Sequence, residues 1–139
     1  MRAKLNDIAV NIRLEVHTMF TIADNGRISL TRGDDVQIPI FLNCGTELRP
    51  SRYELTDEDE LYFALMQPSE LFEDAIFKQK YTSVDKNEEG DILIDIRSEH
   101  TENLIPGKYF YQIKLKSVDS KGRDSISTVV PRTEFIIEE

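Results

Sequence analysis

Tryptophan is absent from this chain, and cysteine occurs once, at Cys44. A single cysteine forbids an internal disulfide. A chain of 139 residues does not need one, because a domain near 150 residues buries roughly 68–70% of its unfolded surface. Cys44 therefore reads as a small buried hydrophobe. The opening residues are polar and lack the roughly 7–15 apolar residues of a leader's central region, so synthesis in a reducing cytoplasm is expected. Glycine and proline are sparse, at 6 and 5, which excludes collagen-like and linker-like chains. No apolar run approaches the ~20 residues of a membrane helix. Positive charge is also short, with 17 basic against 26 acidic residues and a net charge of −9. Such a surface repels phosphate backbones and anionic membranes, so neither nucleic acid nor a membrane is expected as a partner. No G-x-S-x-G, G-x-G-x-x-G or P-loop is present.

The chain does hold enough for a core. Hydrophobic residues make up 40%, with seven Phe and five Tyr. One domain is expected. The pattern is mostly period 2. Ile8, Val10, Ile12, Leu14 and Val16 alternate with more polar residues, as in a half-buried strand. Residues 1–16 carry a net charge of +1 while the rest of the chain carries about −10. Asp24-Asn25-Gly26 predicts a turn and Arg27 to Leu30 a short strand, stopped by Arg32-Gly33-Asp34. Val36, Ile38, Ile40 and Leu42 share one face of the next strand, where Pro39 predicts an edge or a bulge. Gly45 to Arg52 reads as a loop, and Thr56 as the cap of a single turn over Asp57-Glu58-Asp59. Strands are expected over residues 61–66, 75–82 and 92–96, then a helical turn near 98–104 capped by Ser98. The clearest strand is Lys108 to Val118, with a hairpin at Asp119 to Gly122 and a return at Ile126 to Val130. Pro131 is expected to break that return before a last strand at Phe135 to Ile137. About nine short strands of this kind predict an all-β, antiparallel sandwich.

Candidate chemistry is thin. Asp85, Asn87, Glu89 and Gly90 follow the early positions of a calcium loop, but its twelfth position is Ile96, which cannot supply the bidentate carboxylate. A polar hairpin turn is expected there instead, with no metal. The acidic run Glu54, Asp57, Glu58, Asp59, Glu60 reads as a solvated loop. A Cys44–His100 pair has no supporting spacing, His17 lies at the start of a strand, and no catalytic residue or cofactor is expected. Lys114, Lys116, Lys121 and Arg123 read as a wet sheet face. Tyr53, Tyr62, Tyr81 and Phe110 are candidates for an exposed aromatic platform that stacks sugars, though such platforms usually use the absent Trp. The alternating segment at the N-terminus has two readings: an ordinary first strand, or a strand that docks on or swaps with a neighbour.

Four stretches in order resemble a known family. They are Gly26 to Asp34, Tyr53 to Thr56 leading into Leu61 to Leu65, Ile105 to Ile113, and Val129-Val130-Pro131 leading into Phe135-Ile136-Ile137. Over about residues 20–138 the chain resembles the N-terminal domain of phage baseplate upper proteins and related tail or fibre-adaptor domains. The resemblance implies an Ig-like β-sandwich, residues 20–139, behind an added N-terminal arm, residues 1–19. It implies a virion structural part with no catalytic residues. Its partners would be other virion proteins and further copies of itself in a ring or trimer. A capsid-decorating or head-fibre-anchoring protein fits the same features, and a module binding a host-surface glycan is the main alternative. The contacts are expected on Ile8, Val10, Ile12, Leu14 and Val16. The Arg32-Gly33-Asp34 triplet is expected to be a turn ahead of a strand.

Overall fold

The computed structural model describes the backbone of residues 9–12, 20–22, 26–46 and 49–139, with side chains over 26–42 and 53–139. Alternation of apolar and polar residues builds nearly all of it. The strands are β1 (Ala9–Ile12), β2 (Phe20–Ile22), β3 (Ile28–Thr31), β4 (Val36–Thr46), β5 (Arg49–Tyr53), β6 (Glu60–Met66), β7 (Phe77–Tyr81), β8 (Ile92–Ile96), β9 (Gly107–Val118) and β10 (Asp124–Glu138). One short helix, α1 (Ser98–Thr101), follows β8. The protein is all-β, as expected, but it is not made of nine short strands. Strand β9 runs 12 residues and β10 runs 15. No helix among the described residues is long and apolar enough to cross a membrane.

The strands form two sheets. In the first, β4 is the inner strand. Ile40 lies opposite both Ile12 of β1 and Ile92 of β8, and Leu42 opposite both Val10 of β1 and Tyr53 of β5. Strands β5 and β8 therefore share one side of β4 and β1 takes the other. The second sheet has the order β2-β3-β10-β9-β6-β7. Every pairing is antiparallel except β3 with β10, which is parallel. Alternate residues from both sheets meet in one buried cluster. It takes Val36, Ile38, Ile40, Leu42, Ile92, Ile94 and Ile96 from the first sheet, and Ile28, Leu30, Leu61, Phe63, Leu65, Tyr111, Ile113, Leu115, Phe135 and Ile137 from the second. Phe63 stacks on Tyr111 at 5.6 Å, and Phe135 meets Tyr111 edge-on at 6.1 Å. Tyr111 keeps its hydroxyl satisfied by donating to the Gly26 carbonyl at 2.6 Å. Gly26 has φ +87°, a conformation that a side chain disfavours, and a Cβ there would come to 3.4 Å from that hydroxyl.

Several expectations are corrected. Pro131 does not end a strand. The β10–β9 register slips by one residue between Thr128 and Val130 and again between Val130 and Thr133. Pro131 sits in the second irregularity, where its missing N–H breaks no ladder bond. Pro39 marks no bulge: the β4 register with β8 runs unbroken through Pro39 and Leu93. Its described neighbour on the other side, β1, begins only opposite Ile40. Gly45 to Arg52 is a hairpin rather than a loop, with Gly45 opposite Pro50 and Thr46 opposite Arg49. Gly45 and Pro50 disguise it, both being poor strand formers. The segment after Thr56 is the single turn expected: Thr56 Oγ1 accepts from Glu58 N–H at 3.4 Å, and the Thr56 carbonyl accepts from Asp59 N–H at 3.0 Å. Helix α1 starts from Arg97, not Ser98. Asp35 caps it from across the chain, accepting from Ser98 N–H at 2.6 Å.

Candidate functional site

The outward face of the second sheet is built by residues that alternate away from the core. Register sets Tyr62 between Lys80 and Lys114, Ala64 between Lys78 and Gln112, and Lys116 between Glu60 and Ile126. Ala64 and Met66 point away from the core, yet both are fully buried. The connection from β6 to β7 crosses them. Arg132 of β10 anchors it through the carbonyls of Gln67 at 2.9 Å, Pro68 at 2.8 Å and Glu70 at 2.8 Å. The same guanidinium lies 4.7 Å from the centre of the Phe110 ring. A planar group with five donors can do this where an ammonium cannot. The anchored connection carries the short 3₁₀ turn Phe72–Asp74 and sets Phe72 on the sheet. The ammoniums of Lys78 and Lys114 lie 4.7 and 4.5 Å from its ring centre.

Beside Phe72 is a cleft of about 280 Å³, lined by Tyr62, Phe72, Glu73, Lys78, Lys114, Lys116 and Ile126. Its lower rim is neutralised internally. Glu60 meets Lys80 at 3.4 Å and Lys116 at 3.7 Å, and Lys116 also meets Asp124 at 3.6 Å. Desolvation works against the Glu60 charge, but the Tyr62 hydroxyl and the two lysines hold its carboxyl below the ordinary range. Asp124, then Glu60, push the Lys116 ammonium up. Lys114 and Lys116 thus lie on a wet face as expected, though on a structured one.

The acidic run is not wholly solvated. Asp59 is 1% exposed. Its Oδ2 accepts from Tyr53 Oη at 2.7 Å and from Thr56 N–H at 2.9 Å, and its Oδ1 accepts from Ser117 Oγ. One carboxylate therefore ties the end of β5, the following turn and β9 together. An acid between two other acids gives no sign of this in sequence. The seam between the sheets at β7 and β8 is closed in a similar way. Tyr81 Oη accepts from Asp95 N–H at 2.9 Å, Gln79 Nε2 donates to the Asp95 carbonyl at 2.9 Å, and Tyr81 Oη donates to Gln79 Oε1. Side chains of β7 here take the place of a strand partner for β8.

The platform reading is corrected in part. Tyr53 and Tyr81 are buried, because each hydroxyl is needed inside. Tyr62 is partly exposed in the cleft, and Phe110 lies under Arg132. The residues 85–90 form a turn whose oxygens serve backbone. Asn87 Oδ1 accepts from Glu89 and Asp91 N–H, both at 2.9 Å, and Asp85 Oδ2 accepts from Thr82 N–H at 2.7 Å. No group of three or more His, Cys, Asp or Glu among the described residues is placed to hold a metal. His100 stacks on Phe77 at 4.4 Å and accepts from Arg97 N–H at 3.0 Å. Its helix follows Ile96, which lies opposite Val36, whereas Cys44 lies eight residues further along β4, roughly 26 Å away at a strand's rise. The fold does not bring them together. The Arg32-Gly33-Asp34 turn packs on α1, with Gly33 N–H donating to buried Thr101 Oγ1 at 2.9 Å.

Of the expected contact residues, Val10 and Ile12 lie on β1, opposite Leu42 and Ile40 of the same chain. Ile8, Leu14 and Val16, like His17, lie outside the described residues. No family model matches the chain, and neither a curated protein nor a solved structure does.

Proposed function

We propose that this chain is a non-enzymatic structural component of a phage particle, an Ig-like β-sandwich, antiparallel but for the β3–β10 pair, that works through subunit assembly. The place in the particle is a baseplate, tail or fibre adaptor. A capsid-decorating or head-fibre-anchoring role uses the same mechanism elsewhere on the virion. The observation that carries the reading is the position of β1. It is the first described strand, it lies within residues 1–16, whose net charge of +1 contrasts with about −10 for the rest of the chain, and it adds to the inner strand β4 along a side where no other described strand lies. An identical arm from a neighbour can make the same register, which is the basis of strand exchange. The framework residues of the resemblance support the reading too. Gly33 docks the turn after β3 on α1, Gly107 opens β9, and Pro131 sits in the irregularity of β10.

The particle is the site of action, after synthesis in the host cytoplasm, and the partners are other virion proteins and further copies in a ring or trimer. Neither nucleic acid nor a membrane takes part. Solution mass tests the arm. The full chain is expected to be oligomeric and a chain lacking residues 1–16 monomeric. The same number of subunits in both would remove the arm from the assembly.

A further inference from the structure

The cleft beside Phe72 gathers positive charge in an acidic protein. Lys78 and Lys114 hold their ammoniums on one ring, which keeps them no more than ~9 Å apart, close enough to raise each other's energy. The neighbouring lysines have carboxylates: Lys80 has Glu60, and Lys116 has Glu60 and Asp124. Among the described residues, Lys78 and Lys114 make no ion pair. The rest of the lining is the Phe72 ring, the Tyr62 ring, the lysine stems, the single carboxylate of Glu73 and Ile126, an isoleucine left 66% exposed. The Tyr62 hydroxyl is already donated to Glu60 at 3.1 Å. The place is fixed rather than adaptable, since Arg132 holds the connection that carries Phe72.

We propose that this cleft is a second docking site, independent of the N-terminal arm, for an acidic and partly apolar polypeptide segment of another protein. The carboxylate seats between Lys78 and Lys114 and an adjacent aliphatic side chain lies on Phe72 and Ile126. Charge complementarity selects an acidic occupant. The Phe72 ring and the exposed Ile126 call for an aliphatic group beside the carboxylate, which a peptide supplies and a saccharide does not.

The test uses the full chain, labelled with ¹⁵N, titrated with a blocked Glu-Leu-Glu-Leu-Glu peptide. Parallel titrations use Lys-Leu-Lys-Leu-Lys, a glucuronate-containing oligosaccharide and inorganic phosphate. The acidic peptide is expected to shift amides of the residues around Tyr62, Phe72, Lys78, Lys114 and Ile126, and to do so less as salt is raised. The double variant Lys78→Gln/Lys114→Gln is expected to weaken it roughly tenfold, as two exposed ion pairs allow. Ile126→Ser is expected to weaken it with the charges intact. The heat-unfolding midpoints of these variants serve as a check that each still folds. Saturable shifts confined to the cleft and lost in the double variant would support the site. Three results would overturn it: no shift with the acidic peptide, shifts spread over lysines elsewhere and unchanged in the double variant, or equal binding by the oligosaccharide or phosphate.

Discussion

Replacing Asp59 with alanine removes the acceptor at the junction of β5, the turn after it and β9. Three donors lose this acceptor: Tyr53 Oη, Thr56 N–H and Ser117 Oγ. The contacts to Tyr53 and Ser117 are buried, so water does not replace the carboxylate freely. Leaving a buried polar group unsatisfied costs about 1–3 kcal/mol. Ser117 can turn its hydroxyl, and Thr56 lies nearer the surface, so the total is expected at about 3–5 kcal/mol rather than the full sum. A domain of this size has a stability of about 5–15 kcal/mol, so the variant keeps its fold with a much reduced margin. Asp59→Asn keeps one carbonyl oxygen and is expected to lose about half as much. Ser117→Ala removes one bond and is expected to cost about 1 kcal/mol. Urea unfolding followed by circular dichroism measures all three, with the slope compared to confirm that the unfolded state is unchanged. A loss under about 1 kcal/mol for Asp59→Ala, or a larger loss for asparagine than for alanine, would refute the reasoning.

Tyr81→Phe removes the group that accepts from Asp95 N–H. It is expected to cost about 1–2 kcal/mol and to speed hydrogen exchange at the Asp95 amide, while amides on β10 change little; unchanged exchange at Asp95 would contradict the side-chain closure of that seam. Burial pushes the Tyr111 hydroxyl well above the ordinary tyrosine range and the Tyr81 hydroxyl upward as well. Each binds its proton more tightly in the folded protein, so their contribution is whole below about pH 10, the unfolded value, and is lost as pH rises above it. Stability should therefore fall on the alkaline side, and Tyr111→Phe should flatten part of that fall; ultraviolet titration should show Tyr62 ionising before Tyr111, and the reverse order would contradict the assigned burial.

The period-2 pattern was enough to read the β class and most strands, because alternate burial is the direct cause of both. Val36, Ile38, Ile40 and Leu42 share the inward face expected of them, as do Tyr109, Tyr111, Ile113 and Leu115. Two kinds of feature stayed hidden. Proline misled where pairing was already irregular, as at Pro131. Long-range polar contacts were also invisible. Asp59 meets Ser117 across 58 residues, Asp35 caps a helix 63 residues on, and Arg132 grips carbonyls 62 to 65 residues away. Alternation along β9 marks Lys114 and Lys116 as a wet face. Nothing local placed Phe72 beside them, because that depends on Arg132.

The arm is tested most directly by a disulfide trap. Val10 and Leu42 lie directly opposite each other in the β1–β4 register, at the ~4.5–5.5 Å Cα separation of antiparallel pairs that a disulfide can span. Val10→Cys and Leu42→Cys are introduced together in a Cys44→Ser background, oxidised at native concentration and run without reductant. Strand exchange predicts covalent dimers and higher species joined through the two new cysteines. A monomer carrying only an internal disulfide would show that each arm serves its own chain, and would contradict assembly through the arm.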